Sequence, residues 1–321
     1  MMKTSVALCT YNGAKYIEEQ LTSILNQTRP VDEIVVSDDG STDDTLKIIE
    51  DIRLQTNSNI RVFRNEKNIG VQKNFERAIS LCNGEIVFLS DQDDIWEHDK
   101  VSRIVDWFQK NPSKSVVFGD AYLIDANGDV MPDKTLRNLV DFNKKEQRWF
   151  NMGAGLELFL HGNVATGATM AIRKNELKYI YCLPDTSIYH DEIIAEVALI
   201  DNSLGYISKP LMSYRLHDAQ VCGIEPKEKR ITAIKPFWYG NRLDMLPKYK
   251  TIQQRILFGH ERLKSKHYWF GRFVIKHFGY YLKIYGFKCG MVIMASDVVD
   301  SYQHSFLRIK NKISHMFNSA L

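Results

Sequence analysis

The chain has 321 residues, 44% apolar and 25% charged, which is the balance of an ordinary globular protein with length enough for a large core. The net charge of +3 hides an asymmetry: residues 1–220 carry 24 Lys and Arg against 33 Asp and Glu, whereas residues 221–321 carry 18 against 6. No run reaches the roughly 18–20 apolar residues of a membrane span. Five scattered cysteines without a CxxC pair argue against structural zinc or a disulfide framework and fit a reducing cytoplasm.

The N-terminus runs straight into a strand-like segment, Ser5 to Cys9, so no secretory leader is expected. The polar break Thr10-Tyr11-Asn12-Gly13 follows. Apolar positions Tyr16, Ile17, Leu21, Ile24 and Leu25 then recur at helical spacing, with Pro30 as the stop. A second strand, Glu33 to Ser37, runs into Asp38-Asp39-Gly40-Ser41-Thr42-Asp43, where Asp38 or Ser41 would cap the next helix. Ile60 to Phe63 is a third strand. Asn68-Ile69-Gly70 leads into a helix from about Gln72 to Cys82. The fourth strand, Glu85 to Ser90, ends in Asp91-Gln92-Asp93-Asp94-Ile95-Trp96.

Strands alternating with helices predict an α/β fold, a mainly parallel sheet with helices on both faces. Ligands of such sheets gather at the carboxyl ends of the strands. Three of those ends carry polar clusters: Thr10-Tyr11-Asn12, Asp38-Asp39 and Asp91-Gln92-Asp93. The first turn has only Gly13, not GxGxxG, so phosphates would be held by a cation rather than a glycine nest. Close carboxylates invite a hard ion such as Mg²⁺ or Mn²⁺, although Asp94 could simply cap the helix predicted for Lys100 to Lys110.

Further on, Ser115 to Gly119 is a strand, Asp125 to Asp129 a hairpin turn, and residues 133–152 are ambiguous. Gly162 to Ile172 combines small residues with a strand. His190-Asp191-Glu192 precedes an apolar helix, Ile193 to Leu199. Tyr206-Ile207 is a strand before Pro210, and Tyr214-Arg215-Leu216-His217 follows it. Beyond about residue 221, aromatics alternate with cations, as in Lys266 to Lys283, and helices with a basic aromatic face are expected. The domains are therefore drawn as 1–220, catalytic, and 221–321, a basic helical C-terminal extension.

Ala7 to Asn12, Val36 to Asp43, Asn68-Ile69-Gly70 and Ser90 to Trp96, in this order and spacing, resemble the family 2 glycosyltransferases, with a nucleotide-diphospho-sugar transferase (GT-A) fold. The Asp-Gln-Asp-Asp-Ile-Trp form and Tyr214-Arg215-Leu216-His217 look like the bacterial rhamnosyltransferase-like branch that builds surface polysaccharides. The resemblance covers roughly residues 3–220 and implies a UDP- or dTDP-sugar donor, such as dTDP-rhamnose, and a saccharide acceptor.

It also implies roles by position. Thr10 and Tyr11 line the base pocket, and Asp39 accepts the N3–H shared by uracil and thymine. Asn74 contacts the nucleotide, or makes only a loop hydrogen bond. Asp91-Gln92-Asp93 is the DxD motif, with Asp91 towards the ribose and Asp93 on a Mg²⁺ or Mn²⁺ ion that bridges the phosphates. Asp191 is the base of an inverting displacement, with Glu192 its rival. His217 is a metal or diphosphate ligand, Arg215 a phosphate contact, and Trp96 either stacks on a sugar or is a core indole.

Two other classes compete. Asp91-Gln92-Asp93-Asp94-Ile95 approaches the nucleophile motif of haloacid-dehalogenase-like phosphatases, though three strands precede it here. A nucleotide-sugar-binding assembly protein without catalysis is the third reading. The basic extension suggests peripheral docking on an anionic inner leaflet, where a lipid-linked acceptor would lie, and a cytoplasmic location. Nucleic acid is not expected as a partner, because the rest of the chain is acidic.

Overall fold

A computed structural model describes residues 2–151, 155, 158, 163–174, 189–200, 202–218 and 220. All lie in Met1–Ala233, the first of the two units into which the chain divides. The basic extension and its expected helices fall outside the described residues.

The first half alternates as its hydrophobic pattern requires: β1 (Thr4–Thr10), α1 (Ile17–Leu25), β2 (Glu33–Asp38), α2 (Thr45–Thr56), β3 (Ile60–Arg64), α3 (Val71–Leu81) and β4 (Ile86–Ser90). β1 and β4 are buried along their whole length, because both faces of the sheet are covered. Along β1, Val6 and Leu8 enter one core with Ile17, Leu21 and Ile24 of α1, while Ala7 and Cys9 enter the other with Phe75, Ala78 and Ile79 of α3. This is the two-residue period of a strand meeting the 3.6-residue period of its helices. Each fully buried Leu, Ile or Phe among them contributes about 1.5–3 kcal/mol.

The second half comprises β5 (Ile95–Trp96), α4 (Lys100–Lys110), β6 (Val116–Ile124), β7 (Val130–Thr135), α5 (Leu136–Leu139), α6 (Lys144–Trp149), β8 (Ala171–Arg173), α7 (His190–Ile200) and β9 (Leu204–Arg215). The sheet order is β3-β2-β1-β4-β8-β6-β9-β5, with β7 beside β6. β3, β2, β1 and β4 are mutually parallel, as is β6 to β9; β8, β5 and β7 pair antiparallel. The chain moves outward from β1 to β3 and then returns to β4 on the other side of β1. That reversal opens a crevice at the carboxyl ends of β1 and β4.

Several local expectations are corrected. α1 ends at Leu25 with Asn26 as its cap, well before Pro30. The residue before α2 is Asp44; Asp38 instead accepts the backbone N–H groups of Gly40 and Ser41 at 3.2 and 2.9 Å, shaping the turn. Asp99, not Asp94, precedes α4. β9 runs straight through Pro210, and the β6–β9 register shifts beside it, so the missing N–H breaks no ladder. Among the described residues, no helix is long and apolar enough to cross a membrane.

Candidate active site

At the crevice, side chains from neighbouring strand ends lace the loops together. Thr10 Oγ1 donates to Asp38 Oδ1 at 2.9 Å, and Asn12 Oδ1 accepts the Thr42 N–H at 2.8 Å. Gln92 grips the backbone of Tyr11 as a strand would, accepting its N–H at 2.8 Å and donating to its carbonyl at 3.1 Å. A Cβ on Gly13 would lie 2.2 Å from Gln92 Oε1, so only glycine leaves room for that grip. The residue between the two aspartates thus fixes the acidic turn to the first one.

Asp39 is buried. Its Oδ1 accepts from Asn65 Nδ2 at 2.7 Å and the Ile69 N–H at 2.8 Å, and its Oδ2 accepts the Gly70 N–H at 3.0 Å. Asn74 also borders the cleft, but its amide works internally: Oδ1 accepts from Ser37 Oγ at 2.7 Å and Asn65 Nδ2 at 3.0 Å, and Nδ2 donates to the Ser37 carbonyl at 2.7 Å. From its place in α3 it thus ties that helix to β2 at the edge of the cleft.

The acidic turn divides by function. Asp91 faces the cleft, and burial pushes its carboxyl up to about 7, with Asp93 and Asp191 adding to the rise. Asp93 Oδ2 lies 2.9 Å from His217 Nε2, at the end of β9. Asp94 points inward; its Oδ1 accepts the Arg215 N–H at 3.1 Å. Arg215 is buried too. Its guanidinium donates to the Asp93 carbonyl at 2.7 Å and to Glu19 Oε2 at 2.5 Å, and lies 4.7 Å from the Tyr16 ring centre. The expected phosphate contact at Arg215 is therefore corrected: its donors pin the acidic turn to β9 and α1. Trp96 is a core indole, 5.7 Å from Phe88, under the Nζ of Lys100.

Lys100 is a second buried basic group of the region, along with Arg215. It is wholly buried, its Nζ donates to the Ala168 carbonyl at 2.9 Å, and burial pushes its pKa down to about 7 against the pull of Asp94 and Asp91. Ala168 belongs to the turn Gly167–Thr169, whose first N–H donates to Asp191 Oδ2 at 2.9 Å. Asp191 Oδ1 accepts the Glu192 N–H at 2.7 Å. Burial raises the Asp191 carboxyl to about 6, although these two hydrogen bonds and Asn163 oppose the rise.

One cleft of about 740 Å³ is bordered by all eight anticipated residues: Thr10, Tyr11, Asp39, Asn74, Asp91, Asp93, Asp191 and His217. Glu192 does not border it. Sequence reasoning named His190 only as the neighbour of Asp191 and gave no role to Tyr189 or Lys15; all three also line the cleft. Five carboxyl groups (Asp39, Asp91, Asp93, Asp191 and Asp218) line the cleft with Lys15 and two histidines, a balance in which an anionic ligand would be favoured by a bound cation.

The donor set fits one. Asp93 and His217 offer a carboxylate oxygen and an imidazole nitrogen, donor types that Mg²⁺ or Mn²⁺ takes, and the two lie within hydrogen-bonding distance of each other at 2.9 Å. Among the described residues, no group of three His, Cys, Asp or Glu side chains is placed to hold a metal ion.

A family-wide sequence profile described as Glycosyl transferase family 2 matches residues 5–179. The chain is 32% identical over 250 residues to the dTDP-rhamnosyl transferase RfbG of Shigella flexneri, a match spanning 72% of this chain and 80% of that one. Among solved structures, S. aureus TarS 1–349 in complex with UDP-GlcNAc superposes with a TM-score of 0.54 at 21% identity, over 93% of this chain and 80% of that one. In the UDP complex of the same protein the match covers 67% of this chain and 61% of that one. The mannosyltransferase PcManGT from Pyrobaculum calidifontis, in complex with GDP-Man and Mn²⁺, gives a TM-score of 0.52 at 17% identity, covering 94% and 81%. These likenesses establish the GT-A fold.

Proposed function

The chain belongs to glycosyl transferase family 2, and from that premise we propose that its cleft moves a sugar from a UDP- or dTDP-sugar to a hydroxyl of a glycan acceptor, with inversion. The observation that carries this reading is the placement of Asp191 and the Asp93–His217 pair in one cleft. Family membership sets aside the phosphatase alternative, and retained Asp93 and Asp191 weigh against a protein that only binds nucleotide sugars.

In this reading residues 1–220 form the catalytic domain. Thr10, Tyr11 and Asp39 receive the base, and Asp91 the ribose; Asn74 supports Asp39 through Asn65. Asp93 and His217 would hold Mg²⁺ or Mn²⁺, which when bound neutralises charge on the departing diphosphate. Asp191 takes the proton of the acceptor hydroxyl as that oxygen attacks the anomeric carbon, opposite the leaving diphosphate. The description of RfbG as a dTDP-rhamnosyl transferase favours dTDP-rhamnose and bacterial polysaccharide synthesis. The fold does not choose the base, since its relatives hold UDP-GlcNAc or GDP-Man.

A thermal-shift panel of UDP-, dTDP- and GDP-sugars, with and without Mn²⁺, tests the assignment. Stabilisation by a uracil or thymine nucleotide sugar that depends on Mn²⁺ is expected. Stabilisation by GDP-sugars alone would remove the Asp39 role.

Residues 221–321 are proposed to dock on an anionic membrane surface that presents the acceptor. Their 18 Lys and Arg against 6 Asp and Glu support this, each cation near such a surface contributing about 1 kcal/mol. Co-sedimentation with phosphatidylserine vesicles, lost in 0.5 M salt (~4 Å screening length) and absent with neutral vesicles, is the expected result. Equal binding to both vesicle types would rule it out.

A further inference from the structure

His190 begins α7 beside the proposed base, and the preceding roles make no use of it. Its ring is 5% exposed, lines the cleft and stacks on Phe75 with centroids 3.9 Å apart and planes 20° apart. Neither Nδ1 nor Nε2 has a hydrogen-bond partner among the described residues. A buried polar atom left unmatched loses its hydration, and a ring stack does not replace the missing hydrogen bond. Burial pushes the imidazole pKa down to about 3, so the ring is neutral and offers one donor and one acceptor.

Those capacities bear on the missing partner. A phosphate oxygen only accepts and could meet only the nitrogen that carries the proton, whereas a hydroxyl could meet whichever nitrogen faces it, giving to a bare one or accepting from an N–H. Gly167 lies against the ring: a Cβ there would lie 3.1 Å from His190 Nε2 and 3.5 Å from Asp191 Oδ2, so glycine keeps a side chain from crowding both residues. In the proposed reading, a sugar joined to a diphosphate at Asp93 and His217 and attacked with the help of Asp191 would lie beside them.

We infer that His190 is a specificity-determining residue that hydrogen-bonds a hydroxyl of the transferred sugar. The inference rests on the glycosyl-transfer reading given above. Sites built to pair a substrate hydroxyl discriminate strongly against analogues that lack it, because the buried protein group is then orphaned again. His190 therefore selects donors by a hydroxyl, while Asp39 acts on the base at the other end of the nucleotide sugar.

The test uses the full chain with Mn²⁺ and two variants. His190→Phe keeps an aromatic ring against Phe75 but removes both nitrogens; His190→Gln keeps a donor and an acceptor. Binding of UDP, dTDP, their sugars and the corresponding deoxysugar donors is measured by calorimetry, with melting temperature as the folding control. His190→Phe is expected to bind the free diphosphates as the wild type does, to lose about 10–100-fold in affinity for the preferred nucleotide sugar, and to be indifferent to the deoxy change that weakens the wild type. His190→Gln should recover part of the loss.

Equal losses for free diphosphate and nucleotide sugar would overturn the inference, as would an unchanged His190→Phe or a defect confined to the acceptor KM. If the wild type binds diphosphates but no nucleotide sugar, the glycosyl-transfer reading fails and takes this one with it.

Discussion

Replacing Asp191 with Asn should slow sugar transfer by about 10²–10⁴-fold, the usual range for a lost general base, while nucleotide-sugar affinity stays within about threefold of the wild type. The substitution keeps the shape of the side chain, and one amide oxygen can still accept a backbone N–H, so the turn at Gly167–Thr169 retains a contact. What is lost is a group able to take the acceptor's proton. The pH profile supplies a second readout. In the free protein the carboxyl sits at about 6, raised by burial. Because the base acts deprotonated, kcat/KM should climb tenfold per pH unit below that value and level off above it. The rising limb should vanish in Asp191→Asn. Glu192→Gln, outside the cleft, should change the rate by less than about fivefold. Full turnover by Asp191→Asn, or a persistent acid limb, would assign the base elsewhere.

The parts of this site that could be read from the sequence are those where a buried strand stops abruptly. β1, β2 and β4 are continuous apolar runs ending in Thr10-Tyr11, Asp38-Asp39 and Asp91-Gln92-Asp93, and the parallel topology carries all three ends to one crevice. α4 was equally legible, since Val101, Ile104, Val105 and Phe108 mark a single face. The antiparallel half was not. β5 has two residues and β8 three, too few to display a period.

Contacts across long sequence separations were also hidden. Asp94 reads as a cap until Arg215, 121 positions away, is seen to reach it. Lys100 on an amphipathic helix reads as solvent-exposed, the ordinary fate of lysine. Only the arrival of Trp96 below it and the Ala168 carbonyl beside it explains why it is buried. His190 carried no signal beyond its place next to Asp191, because an orphaned ring nitrogen is a property of surroundings and not of spacing.

Asp93→Asn should lower transfer by roughly 10³-fold, the scale of a few kcal/mol of lost charge stabilisation at the leaving group. The reasoning starts from the cleft's charge. A nucleoside diphosphate brings negative charge into a space already lined by five carboxylates, and Lys15 is exposed at the rim. In the proposed reading the attraction comes from a bound cation, which Asp93 and His217, adjacent oxygen and nitrogen donors, would hold. Chelation of wild-type protein should abolish activity, and Mn²⁺ or Mg²⁺ should restore it. Asp93→Asn should not be restored at metal concentrations saturating for the wild type. The Asp93 side chain faces the cleft, while its backbone carbonyl holds Arg215, so the substitution should leave the melting temperature nearly unchanged. That separates it from damage to the Arg215 clamp, which would lower melting temperature and activity together. Undiminished transfer after exhaustive chelation would remove the metal from the reaction.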